Sequence, residues 1–118
     1  MVKSYSLLFG SKSLKVDQIQ KLISEQFDYQ FEDRSSDYYG DYCLFRGTVP
    51  DRIMIYENDP FNDFDFLEKG YQEYSSLIFV HFSQGKNLQK STLKEKFQLE
   101  FPQVIHDLQL LRLTESEK

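Results

Sequence analysis

The sequence predicts an α+β fold: one mostly antiparallel sheet with two or three helices packed on it, in the order β-α-β-β-β-α-β-α-β. Three observations point there. Leu77-Ile78-Phe79-Val80-His81-Phe82 is an apolar run with no Gly, Pro or formal charge, bounded by Ser75-Ser76 and by Ser83-Gln84-Gly85. Such a run reads as a central strand, which needs neighbours on both edges and cover on both faces. Between Tyr29 and Glu57, three strand-like pieces are separated by short turns, the pattern of an antiparallel meander. Elsewhere, apolar residues recur three and four apart, the spacing of helices with one buried face.

In chain order, Val2 to Phe9 places Tyr5, Leu7 and Phe9 on one side and Ser4 and Ser6 on the other, and Gly10-Ser11 ends that strand. Asp17 and Gln20 have the spacing of a capping box. Ile19, Leu22, Ile23 and Phe27 then predict a helix over residues 18–27. Tyr29 to Asp33, Tyr42 to Arg46 and Arg52 to Glu57 are the meander strands, with turns at Ser35-Ser36-Asp37 and around Pro50. Asn58 to Asp63 reads as a loop, after which Asp63 caps a helix through Phe64, Leu67, Tyr71 and Tyr74. Gly70 weakens that helix by about 1 kcal/mol relative to Ala. A third helix starts at Asn87 or Ser91 and ends before Pro102. Leu108, Leu110 and Leu113 suggest a last strand, and the chain ends in a polar tail.

The 118 residues suit a single compact domain, 1–118, able to bury a core without disulfides or metals. Cys43 is the one cysteine, which fits a reducing cytoplasm. No stretch has the length of a membrane span, and the apolar run at the start is too short for a signal peptide. The formal net charge of −5 is unevenly spread: residues 25–68 hold twelve acids and three arginines, a net of −9. That acidity argues against nucleic acid as a direct ligand and for a basic partner.

No residue pattern announces catalysis. His81 lies in the central strand with no partner visible in sequence, and a hydrogen-bonded strand histidine accounts for it. His106 follows Pro102 in a turn. Cys43, between Tyr42 and Leu44, lacks a neighbouring His or base to activate it and reads as a small buried residue. Asp59, Asp63, Asp65 and Glu68 fail the EF-hand pattern, no Cys/His cluster suits zinc, and Gly10-Ser11-Lys12 is no phosphate loop. No cofactor is expected.

Two stretches interleave acids with aromatics. They are Asp33-Arg34-Ser35-Ser36-Asp37-Tyr38-Tyr39-Gly40-Asp41-Tyr42 and Glu57-Asn58-Asp59-Pro60-Phe61-Asn62-Asp63-Phe64-Asp65. One reading is a solvated surface whose aromatics turn into the core. The other is a binding patch of Asp33, Asp37, Tyr38, Tyr39, Asp41, Tyr42, Glu57, Asp59, Asp63 and Asp65. There the rings would anchor a partner and the carboxylates would pair with its Lys and Arg.

In size, charge, strand–helix order and these two stretches, the chain resembles the immunity proteins of bacterial contact-dependent inhibition and polymorphic-toxin systems. The resemblance implies a non-catalytic cytoplasmic inhibitor, a monomer or weak homodimer, that covers the active site of a basic toxin domain such as a nuclease. Two alternatives stand beside it: a small enzyme whose carboxylates join His81 or Cys43 in the fold, and a regulatory adaptor subunit.

Overall fold

The computed structural model describes residues 3–27, 29–47, 52–84 and 108–117. Among the described residues, six strands form one antiparallel sheet: β1 (Lys3–Ser11), β2 (Glu32–Ser36), β3 (Gly40–Arg46), β4 (Arg52–Glu57), β5 (Ser76–Gln84) and β6 (Gln109–Glu117). Their order across the sheet is β2-β3-β4-β5-β1-β6. The apolar run is the core of β5, paired with β4 on one edge and β1 on the other. The meander β2-β3-β4 is present, with β2 starting three residues later than the alternation from Tyr29 suggested.

The helix content differs from expectation. Among the described residues there is one α-helix, α1 (Val16–Phe27), where two or three helices were expected. Its cap also sits two residues earlier than the Asp17–Gln20 spacing suggested. Gln18 reaches back to accept the Lys15 N–H at 2.9 Å, while the Lys15 carbonyl accepts from Ile19 at 3.0 Å. Asp17 lies in the first turn, where a carboxylate favours the positive end of the helix.

The helix expected through Phe64, Leu67, Tyr71 and Tyr74 is not formed. A loop takes its place, followed by a short 3-10 turn at Lys69–Tyr71. Asn62 and Phe64 have φ of 54° and 62°, a left-handed backbone that an α-helix does not contain. Backbone donors that a helix would use are taken locally. The Asp59 carboxylate accepts from the N–H groups of Asp63 and Phe64, and the Asn58 side chain accepts from Glu68 at 2.8 Å. Such side-chain-to-backbone bonds compete directly with helix formation. The third expected helix and His106 lie outside the described residues.

Strand alternation gives the sheet two apolar faces. Tyr5, Leu7, Phe9, Ile53, Ile55, Ile78 and Val80 meet Ile19 and Ile23 of α1 on one. Leu8, Leu44, Met54, Tyr56 and Leu77 meet Leu67, Tyr71 and Tyr74 on the other. Burying each aliphatic side chain contributes about 1.5–3 kcal/mol. Tyr74 presses so closely on β1 that a Cβ at Gly10 would stand 2.8 Å from its ring. No described helix is long and apolar enough to cross a membrane.

Asn58 pins the segment that crosses the second face. It is fully buried. Its Nδ2 donates to the carbonyls of Tyr71 (2.9 Å) and Tyr74 (3.1 Å), and its backbone bonds Leu67 and Ser75. Asn58→Ala would leave these buried groups unpaired, each at about 1–3 kcal/mol. Urea unfolding of the variant is expected to show a loss of about 2–4 kcal/mol, whereas Asn62→Gly, at an exposed left-handed position, should leave stability equal or higher.

Candidate functional site

The two acidic–aromatic stretches meet in space. Gly40, at φ +66°, opens β3 after the β2–β3 turn, and a Cβ there would stand 2.9 Å from Pro60 and 3.8 Å from Phe61. The loop after β4 therefore leans on the tip of the β2–β3 hairpin.

Strand parity decides where each expected binding residue points. Asp33 pairs with Cys43, and Cys43 with Ile55, so these side chains leave on the α1 side. Asp41 and Glu57, two residues along their strands, leave on the same side. Together with Lys15 and Asp17 at the start of α1, they line an open groove of about 800 Å³. Glu57 also borders a second groove of about 540 Å³ lined by Asp59, Asn62 and Glu73. Asp59, Asp63 and Asp65 lie on the intervening loop, with Phe61 and Phe64 exposed at 55% and 83%. Asp37 and Tyr38 project from the hairpin tip.

Tyr39 does not join this group, whereas Tyr42, together with Arg34, also lines the groove. The two tyrosine rings pack on the opposite face, with Tyr39 5.4 Å from Tyr42 and 5.0 Å from Tyr56 between centroids. Burial raises the hydroxyl pKa of both Tyr39 and Tyr56. Tyr38 stands edge-on to Tyr39 at 4.8 Å and remains exposed. The acids thus gather along one side and end of the sheet, while most of the tyrosine surface belongs to the second core. Asn58, Phe61 and Phe64 lie within the second acidic–aromatic stretch but were not among the binding residues expected from the sequence. The Asn58-Asp59-Pro60 run was the available signal, because Asn and Asp side chains bond the backbone just ahead of them in turns.

Cys43 and His81 were the candidates for chemistry. Cys43 faces the acidic groove and donates to Asp33 Oδ1 at 3.8 Å. Burial first, and then the Asp33 charge, push its thiol up to about 11. At neutral pH it is a thiol, the opposite of an activated nucleophile. His81 leaves β5 on the other face, beside Phe79 and hydrogen-bonded through Nδ1 to the Ser6 hydroxyl at 3.1 Å. The two residues are on opposite sides of the sheet and do not form a nucleophile–base pair.

No protein-family model and no curated protein matches this chain.

The Cys43 environment gives a measurable outcome. Its folded-state pKa is raised above the ordinary value of 9.0. The stability it contributes is therefore fully present below pH 9 and is lost as pH rises through 11. Iodoacetamide at pH 7.5 is expected to alkylate Cys43 about a hundredfold more slowly than an exposed cysteine. Asp33→Asn, which removes the neighbouring charge, should speed the reaction several-fold.

Proposed function

We propose that the protein is a non-catalytic inhibitor that holds a basic protein domain against its acidic side, in the manner of toxin immunity proteins. The single observation that carries this reading is Phe64. It is 83% exposed, sits at φ +62° and is flanked by Asp63 and Asp65. A non-glycine residue in that backbone region costs about 1–2 kcal/mol. An exposed aromatic ring there contributes nothing to the core that would offset the cost. Strain held at a surface residue is characteristic of a position shaped by binding.

Charge supports the same side of the molecule. Asp59, Asp63 and Asp65 share the loop of Phe64, and the groove carrying Asp33, Asp41 and Glu57 is also lined by Pro60 of that loop. A basic partner would be steered by the carboxylates and held by Phe64 and Phe61 entering apolar pockets. Buried rings would set the dissociation rate, and the acids the association rate and its salt dependence.

Affinity capture from the source cells, comparing the wild-type chain with an Asp59→Asn/Asp63→Asn/Asp65→Asn variant, tests the reading. The wild type is expected to retain a basic protein in equal amount and to release it as salt rises, and the variant to lose it. With that partner purified, Phe64→Gly should weaken binding about 30-fold, the size of a typical hot spot, while leaving folding stability equal or higher. Identical capture by wild type and variant would remove the basis of the proposal.

A further inference from the structure

By strand parity all four arginines of the chain, Arg34, Arg46, Arg52 and Arg112, share the face away from α1, although Arg34 also lines the α1-side groove. Arg34 stands opposite Tyr42 and Arg112 opposite Leu8, both on that face, and Arg46 and Arg52 share the parity of Leu44 and Met54. Two of the four are neutralised. Arg34 pairs with Glu32 at 2.7 Å and Arg112 with Glu68 at 3.1 Å. Among the described residues, neither Arg46 nor Arg52 has a carboxylate at ion-pair distance, yet they face each other directly across β3 and β4. Like charges in directly opposed positions destabilise a sheet, and an anion between them reverses the sign of that interaction.

The row continues. His81 stands opposite Arg52, Ser6 opposite His81, and Thr114 opposite Ser6. Five neighbouring strands therefore present Arg46, Arg52, His81, Ser6 and Thr114 side by side, a span of about 19 Å at the usual strand spacing. Phe79 lies beside this row. Its ring is within 3° of parallel to the His81 imidazole, and the Arg52 guanidinium sits 5.7 Å from its centroid. Both rings are half-buried, leaving part of each accessible.

We propose that the part of this face that the described residues leave exposed binds single-stranded nucleic acid, with phosphates along the Arg46–Arg52 end of the row and bases stacked on Phe79 and His81. Guanidinium groups match phosphate oxygens in a two-pronged geometry. Accessible flat rings beside them are what unpaired bases use, and a sheet face is a shape that accommodates both. An acidic peptide would use the arginines but gain nothing from the rings. This surface is separate from the acidic groove, so it stands or falls independently of the basic-partner reading.

Fluorescence anisotropy with a labelled ten-nucleotide oligouridylate RNA and the matching oligothymidylate DNA tests it. Binding is expected at 20 mM salt and should weaken as salt rises, with a logarithmic slope of about −1.4 for two phosphate contacts. Arg46→Glu/Arg52→Glu should weaken it at least tenfold with the thermal melt preserved, and Arg46→Gln/Arg52→Gln should weaken it less. Asp33→Asn/Asp41→Asn/Glu57→Gln, on the opposite face, should bind as tightly or more tightly. Absence of binding at low salt, an unchanged affinity in both arginine variants, or equal competition by a ten-residue polyglutamate peptide would overturn the proposal.

Discussion

Neighbouring side chains on a β-strand leave on opposite sides, and this constraint sorts nearly everything that distinguishes the molecule. Asp33 and Arg34 are adjacent in sequence, yet Asp33 shares the face of Cys43 and Arg34 that of Tyr42, although both line the α1-side groove. Asp41 and Tyr42 divide between the two faces in the same way, as do Glu57 and Tyr56. Because β2, β3 and β4 are in antiparallel register, the three separations add rather than cancel. Asp33, Asp41 and Glu57 share one side of the sheet, while the four arginines share the other with Tyr42, Tyr56 and Phe79 and with Glu32 and Glu68, the partners of Arg34 and Arg112. A net charge counted along the chain averages over this division and reports only the excess of acid.

How much was legible follows from the range of the interactions involved. The strands could be read because apolar alternation and β-branched runs such as Arg52 to Glu57 are local. The first helix could be read for the same reason, although Gln18 rather than Gln20 completes its cap. The segment from Phe64 to Tyr74 misled because three-and-four spacing does not belong to helices alone. Leu67, Tyr71 and Tyr74 do reach a common apolar cluster, but they do so from an irregular chain laid across a sheet. What prevents the helix is a set of bonds from Asn58 to groups 10, 13 and 16 residues later, which no local pattern encodes. The candidate site was read in part. Asp33, Asp41 and Glu57 do converge, but the destination of the tyrosine rings depends on register, which becomes visible only once the strands are paired.

Asn58 also links the two sides of the molecule. Its side chain fixes the chain between Glu68 and Tyr74, which covers the face away from α1 near β1 and β6, where the Tyr71 hydroxyl donates to the Leu111 carbonyl. Its backbone begins the loop that carries Phe61 and Phe64. Satisfying several buried carbonyls with one amide makes that loop rigid at its base, so a ring at its tip is presented with less entropy left to lose on contact.

The outermost strand, β2, has one further effect. Four of its five residues are exposed, and they include Glu32, Asp33 and Arg34 in succession. An unpaired strand edge is ordinarily a template on which other chains polymerise. Here an incoming strand would have to align against consecutive full charges of both signs, on a ladder only five residues long. The chain can thus display a broad, aromatic-rich sheet at high concentration with little tendency to seed fibrils from that side.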